Sequence, residues 1–209
     1  MPVVVRDVST ATAVSAGDHQ VCAVLQGGAA KCWGYNNQYQ LGDGTSSDRP
    51  TPVSVLDLST ATAIATNGTH SCARLIGGAV RCWGDNTYGQ LGFNTAPANS
   101  YGGLMGEVGT TAHTVDLGVG HTAQKVAVGD DHVCAIRDDG SVFCWGYNSD
   151  GRLGISTTGA YGSGAVNLGL DANQIPHTAV DIAAGSGHTC ALLEDFSVKC
   201  WGLNSSGQL

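Results

Sequence analysis

Eight cysteines, seven histidines and seventeen acidic residues are the groups in this 209-residue chain with the most evident capacity for chemistry. The cysteines fall into four pairs, Cys22/Cys32, Cys72/Cys82, Cys134/Cys144 and Cys190/Cys200. Each pair is ten positions apart, and each second cysteine is followed by Trp-Gly, at Trp33, Trp83, Trp145 and Trp201. Thiols so placed can form disulfides, bind zinc or remain reduced as small apolar side chains. Zinc would need ligands from two hairpins or further groups nearby, and no Cys-x-x-Cys occurs. A histidine lies two residues before the first cysteine in three units, His70, His132 and His188, but Gln20 takes that column in the first unit, with His19 displaced by one. Glutamine is a poor substitute for a metal-binding imidazole, so the column reads as a hydrogen-bonded structural one facing Gly84, Gly146 or Gly202. Asp43-Gly44 and Asp130-Asp131 place carboxylates near loops, where turns use Asp for their own hydrogen bonds. No nucleophile elbow, phosphate loop, HExxH helix or calcium loop is present. The expectation is no catalytic residue, no cofactor and no metal site, and hence no enzyme.

The elements that position these residues follow from the turns. Cys22 to Leu25 and Ala29 to Gly34 read as two strands joined by Gln26-Gly27-Gly28. The equivalent loops are Ile76-Gly77-Gly78, Asp138-Asp139-Gly140 and Glu194-Asp195-Phe196. Three-residue hairpin loops favour glycine at the last position, where φ is positive. Phe196 departs, which predicts a strained or differently built turn. Counting outward sets Leu25 against Ala29, Ala23 against Lys31 and Cys22 against Cys32. Opposed residues in a non-hydrogen-bonded antiparallel site lie about 4.5 Å apart at Cα, within disulfide range. Four pairs in bonding position and no odd cysteine point to four intra-hairpin disulfides, with buried reduced thiols as the alternative. The tryptophans fall on the opposite face, Trp33 facing Val21, Trp83 Ser71, Trp145 Val133 and Trp201 Thr189. A hairpin apolar on both faces fits between two neighbours.

Two further strands are expected per unit: 52–55 with 61–65 before the second hairpin, 3–5 with 11–15 before the first, 113–116 with 124–127 before the third, and 177–180 with 181–183 before the last. Four short strands in about 50 residues mark a propeller blade. The units run about 1–49, 50–98, 99–160 and 161–209, giving an all-β fold of four-stranded antiparallel blades.

The repeats resemble those of the regulator of chromosome condensation family. The likeness runs through Ala16-Gly17 and Ala184-Gly185, the His-Thr-Cys-Ala-Leu of 188–192, Cys-Trp-Gly-x-Asn in every unit, and Gly89-Gln90-Leu91-Gly92 with its variant Gly151-Arg152-Leu153-Gly154. It covers essentially the whole chain. It implies a β-propeller, usually of seven blades, and the paired cysteines look like the variant of bacterial exported proteins. Four units would then be part of a larger ring, completed by additional blades of a longer chain or by another copy, and are not expected to close as a four-bladed monomer.

Composition narrows the function. Only 12% of residues are charged, the formal net charge is −8, and no Lys/Arg cluster offers phosphate binding, so nucleic acid is not an expected partner. No apolar run approaches the roughly 18 residues of a membrane span, so no membrane insertion is expected. No signal peptide is visible at Met-Pro-Val-Val-Val, and a leader upstream stays open. Paired disulfides belong to an extracellular, cell-surface or periplasmic location. The expected function is protein binding or scaffolding, toward another protein or a cell-surface assembly; the alternatives are a secreted enzyme inhibitor and a guanine-nucleotide exchange factor-like regulator. Trp-to-Trp spacings of 50, 62 and 56 enlarge the loops after the second and third hairpins. Partner contact is expected through residues 93–112, with Tyr101, Leu104 and Met105, and 155–176, with Tyr161 and Asn167. Tyr39 and Tyr88 stand at matching positions in the shorter turns.

Overall fold

The computed structural model describes residues 1, 3–92, 114–155, 161–165 and 177–209. Among these there is no helix. Fourteen strands build four antiparallel sheets. The first contains β1 (Ala11–Ala16), β2 (Gln20–Leu25), β3 (Ala30–Gly34) and β4 (Arg49–Ser54), in that order. The second contains β5 (Ala61–Asn67), β6 (His70–Leu75) and β7 (Val80–Gly84). The third contains β8 (Ala123–Val128), β9 (His132–Arg137), β10 (Val142–Tyr147) and β11 (Tyr161–Ala165), and the fourth β12 (Ala179–Ala184), β13 (His188–Leu193) and β14 (Val198–Gly202).

The hairpin register is the one the turns dictate. Cys22 pairs with Cys32, Ala23 with Lys31, Val21 with Trp33 and Gln20 with Gly34, and the same columns recur in the other three sheets. Each inner strand carries a bulge at one place, Thr12, Thr62, Gln124 or Val180, which adds local twist. At the hairpin tips Gly28, Gly78 and Gly140 take positive φ, and so does Phe196, at 66°. Its turn is therefore the same turn. Leu193 donates to Ser197 and Phe196 to Leu193, as Leu25 does to Ala29 and Gly28 to Leu25, so Phe196 bears the left-handed strain itself.

Four strand assignments differ from the sequence reading. Of the strand expected at 113–116, the described residues show only an isolated bridge, Thr114 to Arg81. Arg49–Ser54, grouped in sequence with the second hairpin, pairs with β3 and is the fourth strand of the first blade. Residues 177–183 give one strand, β12, rather than two. Val3–Val5 forms no strand; it is exposed. A strand not expected from the sequence, β11, pairs along β10.

Consecutive sheets stack face to face. β5 packs on β1 and β2, β8 on β5 and β6, and β12 on β8 and β9, and among the described residues the fourth sheet does not pack on the first in this way. Each junction buries an apolar cluster. At the first, Cys22, Val24, Ala30, Cys32 and Leu41 meet Ile64, Ala73, Leu75 and Trp83. At the second, Cys72, Val80, Cys82 and Leu91 meet Val128, Val133, Ala135 and Trp145. The third repeats this with Cys134, Cys144 and Leu153 against Ala191, Leu193 and Trp201. The cysteine face of one blade thus receives the tryptophan face of the next.

Candidate functional site

All eight cysteines are disulfide-bonded within their hairpins, with Cα separations of 4.0–4.1 Å. Cys22, Cys32, Cys72, Cys82, Cys134 and Cys144 lie on the wall against which the following blade packs and are fully buried. Their role is to staple two strands and fill the junction.

The Cys-Trp-Gly-x-Asn and Gly-Gln-Leu-Gly motifs build one device. The Asn side-chain carbonyl accepts the backbone N–H five residues on: Asn36 from Leu41 at 3.0 Å, and Asn86 from Leu91, Asn148 from Leu153 and Asn204 from Leu209 at 3.1 Å. Gln40 and Gln90 accept the N–H two residues back, from Gln38 and Tyr88. The turn so fixed aims a backbone carbonyl at the indole of the next blade. Trp83 Nε1 donates to Gln40 and Trp145 Nε1 to Gln90 at 2.9 Å, and Trp201 Nε1 donates to Arg152 at 3.0 Å. The closing glycine takes φ of 66° at Gly42 and 72° at Gly92, and a Cβ there would lie 2.9 Å from the same indole nitrogen. The motif that most clearly marks the repeat is therefore a tryptophan socket. Sequence reasoning placed the tryptophans in the inter-blade core but assigned no role to the Asn and Gln; their five- and two-residue spacings were the available signal.

A buried polar string runs alongside. Gln20 Nε2 donates to Thr66 Oγ1 and to the His70 carbonyl, and Ser71 Oγ donates to the Gln40 carbonyl at 2.9 Å. His132 Nε2 bonds Thr189 Oγ1 at 2.8 Å. An imidazole against a hydroxyl is the geometry of an activated nucleophile, but both groups are wholly buried between blades, and the pairing holds one blade to the next. His70 has Val133 where His132 has Thr189, and its ring nitrogens find no side-chain partner. Burial pushes His70 down to about 4 and His132 to about 3; Asp85 and Asp130 oppose the shift at His70, while Arg152 adds to it at His132. Both rings are neutral at physiological pH.

The loop carboxylates serve their own turns and the neighbouring blade. Burial raises the Asp43 carboxyl, but hydrogen bonds from Arg49, Thr45 and Asn36 outweigh it and hold the group below its ordinary value. Asp130 takes Asn67 Nδ2 at 3.2 Å and Ser186 Oγ at 2.5 Å, tying three blades together. His121 lies 3.1 Å from Asp138 and 3.8 Å from Asp139. These three groups are close enough for a metal ion, but the two carboxylates are exposed, His121 is half-buried, and the histidine is already paired with both aspartates.

Of the tyrosines expected at a contact surface, Tyr39 is half-buried at φ 60°. Tyr88 stacks on Tyr147 at 4.4 Å, and Arg152 lies 4.8 Å over the Tyr147 ring. Arg152 also reaches Asp150 and, at 3.8 Å, Asp131. This Tyr88–Tyr147–Arg152 cluster bridges two blades and was not anticipated. Tyr161 belongs to β11, opposite Tyr147. Tyr101, Leu104, Met105 and Asn167 lie outside the described residues.

The repeat described as "Regulator of chromosome condensation (RCC1) repeat" matches residues 32–74 and 139–192, and a second form of the same repeat matches 61–90, 123–152 and 179–208. The ultraviolet-B receptor UVR8 of Arabidopsis thaliana is 29% identical over 206 residues, 94% of this chain and 42% of the receptor. The human E3 ubiquitin-protein ligase HERC2 is 36% identical over 84 residues, 40% of this chain and 2% of the ligase. Among solved structures, human WBSCR16 superposes with a TM-score of 0.76 at 20% identity, covering 93% of this chain and 48% of its own. Prp20p of Saccharomyces cerevisiae, described with its binding to Gsp1p and histones, gives 0.75 at 19%, covering 93% and 45%. The chain thus spans less than half the length of each of these relatives.

Proposed function

The chain belongs to the regulator of chromosome condensation (RCC1) repeat family, and from that premise we propose that it is a non-enzymatic protein-binding propeller working in an oxidising, exported or cell-surface setting. One observation carries the reading: the repeated columns are consumed by packing. The cysteines of the first three blades, Trp83, Trp145 and Trp201 with the sockets that receive them, and the buried His70 and His132 are engaged at blade junctions, which leaves recognition to side chains on the connecting loops. The four disulfides support the compartment, since such pairs are rare where thiols are kept reduced. Prp20p, with Gsp1p and histones as ligands, illustrates protein binding in a similarly folded neighbour. In this reading residues 1–209 are four blades of a larger ring, and residues 93–112 and 155–176 are the first place to look for contact, with Tyr88 and Tyr147 beside them.

The test replaces each enlarged loop by the short 42–51 connection of the first unit, with partner affinity and stability measured separately. Lost affinity at unchanged stability is expected. Unchanged affinity in both variants would refute the loop assignment.

A further inference from the structure

The hairpin tips of the third and fourth blades carry a donor set that the first two blades lack. In the third, His121 stands two residues before β8 and faces Asp138 and Asp139 in the β9–β10 turn. In the fourth, His177 stands two residues before β12, and its Nδ1 lies 3.7 Å from Asp195 Oδ2 in the β13–β14 turn, where Glu194 precedes it. The first two blades have Ser9 and Ser59 at the histidine position, and Gln26-Gly27 and Ile76-Gly77 at the carboxylate positions. Imidazole and paired carboxylates are therefore present together or absent together. The turn itself needs neither, since all four blades close it with the same backbone hydrogen bonds.

A simple ion pair accounts for only part of the third blade's arrangement. His121 Nδ1 approaches an oxygen of Asp138 at 3.1 Å and one of Asp139 at 3.8 Å, and the three atoms lie within 4.8 Å of one another. One Nδ1 proton serves one carboxylate at a time, so the second oxygen converges on the same point with no proton of its own. A metal ion satisfies all three lone pairs at once. Donors about 2.1 Å from a tetrahedral ion stand about 3.4 Å apart. The observed 3.1 and 3.8 Å bracket that spacing. Backbone contacts hold the carboxylates in place: Asp138 Oδ1 accepts the Thr122 N–H at 3.3 Å, and Asp139 Oδ1 accepts the Ser141 N–H at 2.9 Å, which leaves Asp139 Oδ2 turned to the histidine. The neighbouring charges are the Arg137 guanidinium and the carboxylates of Asp116, Asp138 and Asp139. Three anions face one cation, and a bound divalent ion offsets the excess.

We propose that His121, Asp138 and Asp139 form a binding site for a zinc-class divalent ion at the tip of the third blade. One imidazole nitrogen with two carboxylate oxygens suits a borderline ion such as Zn²⁺, whereas Ca²⁺ and Mg²⁺ take oxygen ligands. Three protein donors leave one coordination position for water or for a donor group of a bound molecule. The ion ties the segment entering β8 to the β9–β10 turn, which already meet through the Asp138 N–H and the Thr122 carbonyl at 2.9 Å. The site departs from the sequence-based expectation of no metal, which weighed the cysteines and the buried histidine column. It does not depend on the loop-mediated binding proposed above.

Calorimetric titration of Zn²⁺ into the disulfide-intact 209-residue chain, freed of metal by a chelator, tests this. The expected result is a saturable site whose filling shifts the ring-nitrogen resonances of His121, a signature that a histidine–aspartate pair alone does not give. His121→Ala and Asp138→Asn/Asp139→Asn alter a surface turn and should each weaken zinc binding by about tenfold or more. His177→Ala should leave that site unchanged. Near-ultraviolet circular dichroism and disulfide mapping verify that each variant is folded. A folded wild-type chain without saturable zinc binding overturns the proposal, as does wild-type affinity in the His121 variant or in the double aspartate variant.

Discussion

Acid should loosen this protein through two buried imidazoles, and the size of the effect follows from their surroundings. His70 and His132 are fully buried, and burial holds them at about 4 and about 3. An unfolded histidine titrates near 6.5. Because the folded values are lowered, the unfolded chain binds more protons between roughly 6.5 and 4, so stability is full above that window and declines as pH falls through it. At pH 5 the difference is about 2 kcal/mol per histidine relative to pH 8. That figure hardly depends on how far below 5 the folded value lies, since the proton uptake is on the unfolded imidazole. Asp131, whose carboxyl is raised chiefly by burial, works in the opposite sense, so the wild-type slope alone is ambiguous. The internal precedent is Gln20, which fills the same column in the first blade. Urea unfolding of His70→Gln, His132→Gln and the double variant at pH 8 and pH 5 gives the answer. Each single variant should recover about 2 kcal/mol of the acid loss, and the double about 4. A double variant with the wild-type pH dependence would refute the reasoning.

The tryptophan socket makes two further predictions. Trp145→Phe leaves the buried Gln90 carbonyl without its donor, costing about 1–3 kcal/mol beyond the lost volume, while Trp145→Ala should cost about 3–5 kcal/mol; a Trp145→Phe loss in chemical denaturation no larger than its lost volume explains would mean the indole N–H does nothing. Gly92→Ala places a Cβ 2.9 Å from both Trp145 Nε1 and Val115 Cγ1 at φ 72° and should cost about 1–3 kcal/mol. Gly89→Ala, with φ 76° but nothing within 4 Å, should cost only the left-handed term of about 1–2 kcal/mol, so a Gly89 variant as damaged as the Gly92 one would contradict the crowding argument.

Turn chemistry made the hairpins legible. A glycine that must adopt positive φ fixes the loop length, the loop length fixes the register, and the cysteine and tryptophan columns then follow by alternation. Phe196 keeps that turn despite its side chain, because the hydrogen bonds at Leu193 and Ser197 are backbone ones that any residue can join. The outer strands were harder to place. Arg49–Ser54 carries two prolines and no alternation, and it reaches β3 only after the long socket turn. Tyr161–Ala165 is Tyr-Gly-Ser-Gly-Ala, with almost no apolar signal, and is a strand only because β10 offers an edge. The socket itself was half-visible. Trp-Gly and Gly-Gln-Leu-Gly were recognisable as motifs, but side-chain bonds to backbone two and five residues away leave no hydrophobic period to read. The Tyr88–Tyr147–Arg152 cluster, assembled from residues of two blades, had no sequence signal at all.

Four disulfide-stapled blades are proposed to work in an oxidising compartment. Non-reducing peptide mass mapping of the protein from its native source tests this proposal most directly. The account predicts Cys22–Cys32, Cys72–Cys82, Cys134–Cys144 and Cys190–Cys200 and no free thiol; each closes a short loop and should contribute on the order of 2–3 kcal/mol. Free thiols, or bonds running between hairpins, would contradict both the blade register and the proposed compartment.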